Sequence, residues 1–102
     1  MDAQAALLRA LSARVGKEQI LSVRHARSEP WASATFSGAR HSFGLALTGK
    51  SAFETANRLA EGLDAMEFRL NGHLVADITL VDRRDTPDGA TFAIEALTVE
   101  DC

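Results

Sequence analysis

The chain is poor in several residue types: it has one cysteine, Cys102, two lysines, no tyrosine and no long apolar run. A single cysteine excludes an intrachain disulfide and a metal site built from several thiolates. No stretch approaches the roughly 18 apolar residues that a membrane helix needs, and the first residues lack the basic and apolar regions of an export signal. We therefore expect a cytoplasmic protein.

The sequence also lacks an excess of positive charge, since its formal net charge is −3. A dedicated nucleic-acid binder normally carries a concentrated positive field, so we do not expect a nucleic-acid partner. Only two of the eleven basic residues are lysines, and with abundant alanine this bias is typical of a GC-rich bacterial genome. A length of 102 residues with 46% hydrophobic residues predicts one folded domain spanning residues 1–102.

Two segments carry apolar residues at helical spacing. The first follows Asp2, whose carboxylate can accept from free N–H groups of the first turn, and Gly16 is placed to end it. The second begins at Ser51, which forms a Ser-x-x-Glu capping box with Glu54, and Gly62 is placed to close it. The apolar positions are Leu7, Leu8, Leu11 and Val15 in the first helix and Phe53, Ala56, Leu59, Ala60 and Leu63 in the second.

Between these helices the apolar period changes to two, which predicts strands over residues 20–28, 31–37 and 40–48. Pro30 should interrupt the first run, because proline cannot donate a hydrogen bond to a strand ladder. A tight turn at 38–39 should join the second and third strands.

After the second helix, alternation predicts strands over 66–70, 74–81 and 90–99, with residues 99–102 as a frayed tail. The Asn71-Gly72 step indicates a hairpin between the first two. A three-residue loop at 70–72 keeps apolar residues opposite each other, and Gly72 should then take a positive φ.

The sequence therefore predicts an α+β domain in which two helices pack on one face of a curved, mainly antiparallel sheet, in the order α-βββ-α-βββ. At the level of topology alone, this order is similar to that of small acidic type III secretion chaperones. Such chaperones dimerise and hold partner segments extended, so the resemblance implies a dimer. The chain departs from their pattern by ending in a strand instead of a helix.

Residues Gly44–Ser51 spell the phosphate-loop pattern Gly-x4-Gly-Lys-Ser, and a predicted helix begins at its end. Asp82 follows an apolar strand, as does the aspartate that holds magnesium in P-loop NTPases. However, the apolar residues of 43–48 alternate as in a half-buried strand, whereas a phosphate loop must curl around its ligand. We interpret 43–48 as a strand, which leaves P-loop nucleotide binding a remote option.

No catalytic, cofactor-binding or metal-ligating residues are predicted, and we expect a protein that is not an enzyme and has no cofactor. His25, His41 and His73 lack the spacing of a metal site. Basic residues do concentrate in the predicted first three strands, beside the single tryptophan. The candidate ligand or partner surface consists of Arg24, His25, Arg27, Trp31, Arg40 and His41.

These features favour a non-catalytic interaction or adaptor module, homodimeric, that uses a sheet edge or face to bind a protein partner. The alternative is a domain that binds a small anionic ligand in a pocket between helices and sheet, with Arg24, Arg40 or His41 meeting the anion.

Overall fold

A computed structural model of the protein describes residues 2–101. In chain order the elements are α1 (Ala3–Ser12), β1 (Gln19–Ala32), β2 (Ser37–Gly49), α2 (Ala52–Gly62), a 3-10 turn (Leu63–Ala65), β3 (His73–Thr86) and β4 (Gly89–Glu100). The strands form one open antiparallel sheet in the order β1-β2-β4-β3. The predicted α+β class with two helices and an antiparallel sheet is confirmed. Within residues 2–101, no helix is long and apolar enough to cross a membrane.

The predicted extended segments occupy four long strands instead of six. The predicted strand over 31–37 does not exist as a separate strand, because Trp31 and Ala32 continue β1 past Pro30 and residues 33–36 form a turn. The turn lies at 33–36 instead of the predicted 38–39, where the Ser33 N–H donates to the Phe36 carbonyl at 2.7 Å. Pro30 is tolerated because β1 is an edge strand, where a missing N–H can face solvent.

Residues 66–70 were predicted as a strand but make only one bridge, between Leu70 and His73. The loop is therefore the two residues Asn71-Gly72, and the predicted three-residue loop is wrong, although Gly72 has the expected positive φ of 83°. The alternation in this segment reflects packing instead of pairing, since Met66, Phe68 and Leu70 lie against the core.

The C-terminal residues are better ordered than the predicted frayed tail. Val99 and Glu100 continue β4 and pair with Leu74 and His73. The Asp101 N–H donates to the Gly72 carbonyl at 2.9 Å. Cys102 lies outside the described residues.

The core lies on the face of the sheet that both helices cover. Phe43, Leu45 and Leu47 of β2 stand opposite Ile94, Phe92 and Ala90 of β4, all fully or almost fully buried. From α1, Leu7 and Leu11 pack onto this layer; from α2, Ala56 and Leu59 do so. As predicted, Asp2 caps α1, its Oδ1 accepting from the Ala5 N–H at 2.8 Å.

The start of α2 differs from the predicted capping box. Ser51 has φ 58° and ψ 24°, in the left-handed region, and its side chain makes no capping hydrogen bond. Phe53, predicted to face the core, is 49% exposed and lies beneath the Arg83 guanidinium, 5.3 Å from the ring centroid. The helix is therefore rotated so that Ala52 and Ala56, instead of Phe53, meet the sheet.

Candidate functional site

The face of the sheet opposite the helices has no covering layer among residues 2–101. We call it the open face, and cross-strand register places its residues in rows across all four strands. β1 contributes Ile20, Ser22, His25, Arg27, Glu29 and Trp31; β2 contributes Gly38, Arg40, Ser42, Gly44, Ala46 and Thr48; β4 contributes Thr91, Ala93, Glu95, Leu97 and Val99; β3 contributes Leu74, Asp77, Thr79, Asp82 and Arg84.

Most residues of the predicted candidate surface reach the open face. His25, Arg27, Trp31 and Arg40 occupy it by register, and Arg24, at the β1 bulge, borders the same side next to His25 and Asp82. His41 does not join them, because it neighbours Arg40 in β2 and so points to the helix-covered face, where it is 3% exposed. The predicted set is therefore divided between two faces.

Two aromatic side chains of β1 lie against glycines of β2. His25 pairs with Gly44 and Trp31 pairs with Gly38 in the strand register. A Cβ atom at Gly44 would overlap the His25 ring; one at Gly38 would collide first with the Thr98 carbonyl of β4 and would also touch the Trp31 indole. These glycines let the rings lie close to the sheet, so the middle of the open face stays flat.

A shallow hollow of about 560 Å³ crosses the open face and is lined by charged residues of both signs. Arg27 and Arg40 line it from β1 and β2, while Asp77 and Glu95 line it from β3 and β4. Arg27 forms an ion pair with Glu29 at 3.4 Å, but both side chains are largely exposed, so this pair adds little to stability. In the described chain, Arg40, Asp77 and Glu95 form no ion pair.

Charge is unequally divided across the open face. The β1–β2 half, with the bulge residue, carries three arginines and one glutamate, which gives a formal charge of +2. The β4–β3 half carries three carboxylates and one arginine, which gives −2. The acidic residues are Asp77, Asp82 and Glu95, and Arg84 accompanies them.

On the helix-covered face, His41 is the centre of a hydrogen-bond chain. Gln4 of α1 donates from Nε2 to Ser28 Oγ at 2.9 Å, and Ser28 Oγ lies 2.7 Å from His41 Nδ1. His41 Nε2 lies 2.9 Å from Thr98 Oγ1, which in turn donates to the Ala39 carbonyl. Because the Thr98 hydrogen is used there, His41 Nε2 donates to Thr98, and in the neutral ring Nδ1 accepts from Ser28.

The surroundings of His41 agree with a neutral ring. Burial lowers the pKa of His41 from its ordinary value of 6.5; the Asp2 carboxylate acts in the opposite direction, and His73 adds to the lowering. A cavity of about 260 Å³ adjoins this chain of hydrogen bonds and is bordered by the acidic residues Asp2 and Glu100. It therefore offers an anion little electrostatic attraction. The chain of hydrogen bonds centred on His41 connects β1, β2, β4 and α1.

The phosphate-loop pattern does not form a loop. Residues 44–48 are paired to β1 on one side and to β4 on the other, so the backbone N–H groups and carbonyls belong to the sheet. Lys50 is exposed and lies 4.0 Å from Glu18. The interpretation of 43–48 as a strand is confirmed.

The acidic half of the open face was not singled out from the sequence. Asp77, Asp82 and Glu95 are each one charge in an alternating strand, and only the β2–β4 pairing brings them beside the basic residues of β1 and β2. In the described part of the chain, no group of three or more His, Cys, Asp or Glu side chains is arranged to hold a metal ion.

Comparison with protein-family models, with curated proteins and with solved structures finds no match for this chain. The resemblance to type III secretion chaperones stays a prediction from element order.

Proposed function

We propose that this protein is a non-catalytic interaction module that works as a homodimer, with the open face as its contact surface. The observation that carries the proposal is the uncovered open face, from Ile20 at one end to Leu74 at the other. These two large apolar side chains are 64% and 55% exposed. An uncovered sheet face of this extent is a surface on which a second layer can pack.

The size of the open face suits a stable interface. Four strands about 4.8 Å apart and about twelve residues long, at about 3.3 Å per residue, cover roughly 750 Å². A standard interface buries about 800 Å² per partner. Small residues at its centre, including Ala46 and Ala93, let another surface approach closely.

A sheet edge is a less favourable contact surface, because both edge strands are interrupted. β1 has a bulge between Val23 and His25 and contains Pro30, and β3 has bulges at 75–77 and 80–82. Bulges, proline and charged side chains are the devices that prevent a further strand from pairing. The sequence did not decide between a sheet edge and a sheet face as the contact surface. The structure of the two edge strands favours the face.

Size-exclusion chromatography with multi-angle light scattering tests the proposal. We expect a mass of twice 11.0 kDa at tens of micromolar protein. Ala93→Arg places a large charged side chain at the flat centre of the open face and should produce a folded monomer. Glu61→Arg, which adds the same side chain at an exposed position of α2, is the matched control and should remain dimeric.

A wild-type monomer at high micromolar concentration would contradict the proposal, and so would a dimer that Ala93→Arg leaves intact. Binding of a different protein partner stays a prediction. The anionic-ligand alternative also stays a prediction; it has less support, because carboxylates border the cavity at His41 and line the same open-face hollow as Arg27 and Arg40.

A further inference from the structure

The charge division of the open face determines how a second copy can pack on it. This step rests on the proposed function, namely that two copies pack face to face. When two stacked sheets pack with their strands aligned, the two-fold axis between them lies close to parallel or close to perpendicular to the strands. The two choices give different electrostatic contacts.

An axis perpendicular to the strands stacks the β1–β2 half of one copy on the same half of its partner. Formal charges of +2 and +2 would then face each other on one side, and −2 and −2 on the other. Like charges brought together at an interface are unfavourable and select against an arrangement. This packing is disfavoured.

An axis parallel to the strands stacks the β1–β2 half of each copy on the β4–β3 half of its partner. The basic half, with Arg27 and Arg40, then meets the acidic half, with Asp77 and Glu95, and symmetry repeats this contact. Arg40, Asp77 and Glu95 have no ion-pair partner within the described chain, so they are available to a second copy.

We infer that the protein forms a face-to-face dimer whose two-fold axis runs parallel to the strands, with the basic β1–β2 half of each copy on the acidic β4–β3 half of its partner. The aligned packing of two twisted sheets, at about 30°, keeps these halves in register along the strands. The occupant of the open face is thus a second copy of this chain.

Charge reversal tests this arrangement. The first variant, Arg27→Glu with Arg40→Glu, makes the whole open face acidic, and the second, Asp77→Lys with Glu95→Lys, makes it basic. All four side chains are exposed, so both variants should stay folded by circular dichroism. We expect the dimer dissociation constant of each variant alone to rise at least tenfold at low salt.

Mixing the two variants should restore association, because an entirely acidic face then meets an entirely basic one. Native mass spectrometry separates the species by mass and should show the heterodimer in at least tenfold excess over either homodimer. A chain with all four substitutions has its halves exchanged and should return to a homodimer of near wild-type affinity.

The possible failures are distinguishable. A wild-type monomer overturns the proposed function and this inference together. If the wild-type protein is a dimer and both charge-reversed variants dimerise with the same affinity, the proposed dimer is retained and the inferred arrangement is overturned. Weakened variants that fail to associate when mixed also overturn it, because complementary halves must recognise each other.

Discussion

His41 joins three strands and α1 through a chain of hydrogen bonds, and its imidazole is buried. Burial lowers the pKa of His41 below 6.5 in the folded protein, so the unfolded chain binds this proton more tightly. The contribution of His41 to stability is therefore fully present above pH 6.5. It is lost as the pH falls below 6.5 towards the folded-state pKa.

We predict that His41→Gln removes this pH-dependent part of the stability. It should also lower the free energy of unfolding at pH 7.5 by about 1–3 kcal/mol, because the amide leaves one hydrogen-bonding neighbour without a partner. Urea unfolding at pH 5.5 and pH 7.5 measures both effects. A pH dependence that His41→Gln leaves unchanged would refute the assignment.

At the scale of elements, the start of α2 allows a test of two interpretations of Ser51: a residue that caps the helix, or a residue held in the left-handed conformation. If Ser51 were a capping residue, its replacement by alanine would lower the free energy of unfolding by about 1 kcal/mol, and its replacement by glycine would not raise it. Ser51 instead holds a left-handed conformation without a capping hydrogen bond. We predict that Ser51→Gly raises the free energy of unfolding by about 0.5–1 kcal/mol, because glycine adopts this conformation without the Cβ penalty.

Thermal and urea unfolding of Ser51→Gly and Ser51→Ala measure this difference. The control is Ser37→Gly at the start of β2, where φ is not positive, and it should be destabilising. If Ser51→Gly is also destabilising, the left-handed assignment fails.

At the same scale, sequence periodicity predicted the elements that bury one face and pair with close neighbours. α1 and the core of β2 follow directly from the spacing of Leu7, Leu11, Leu45 and Leu47, and α2 follows from that of Ala56 and Leu59. Periodicity failed where tertiary context decides. A proline would end a central strand, but Pro30 is tolerated because β1 is an edge strand. Residues 66–70 alternate between apolar and polar because they pack on the core, although they do not pair as a strand.

For the whole molecule, the sequence predicted half of the candidate site. It singled out the basic residues of β1 and β2, which are close along the chain. It missed Asp77, Asp82 and Glu95, because a pattern along one strand does not say which distant strand lies beside it. It also grouped His41 with Arg40, although adjacent residues in a strand face opposite sides of the sheet.

A dimer held by complementary charged halves should weaken as salt is added. The Debye length falls from about 30 Å at 0.01 M to about 3 Å at 1 M ionic strength, so charges at the interface rim are progressively screened. We predict that the dissociation constant rises about tenfold or more between these conditions, as measured by sedimentation at a series of protein concentrations. Arg27→Gln with Arg40→Gln should flatten this dependence, since it removes the cationic contribution without creating repulsion. An association that salt strengthens would mean that apolar contacts such as Ile20 and Leu74, instead of the charged halves, hold the two copies together.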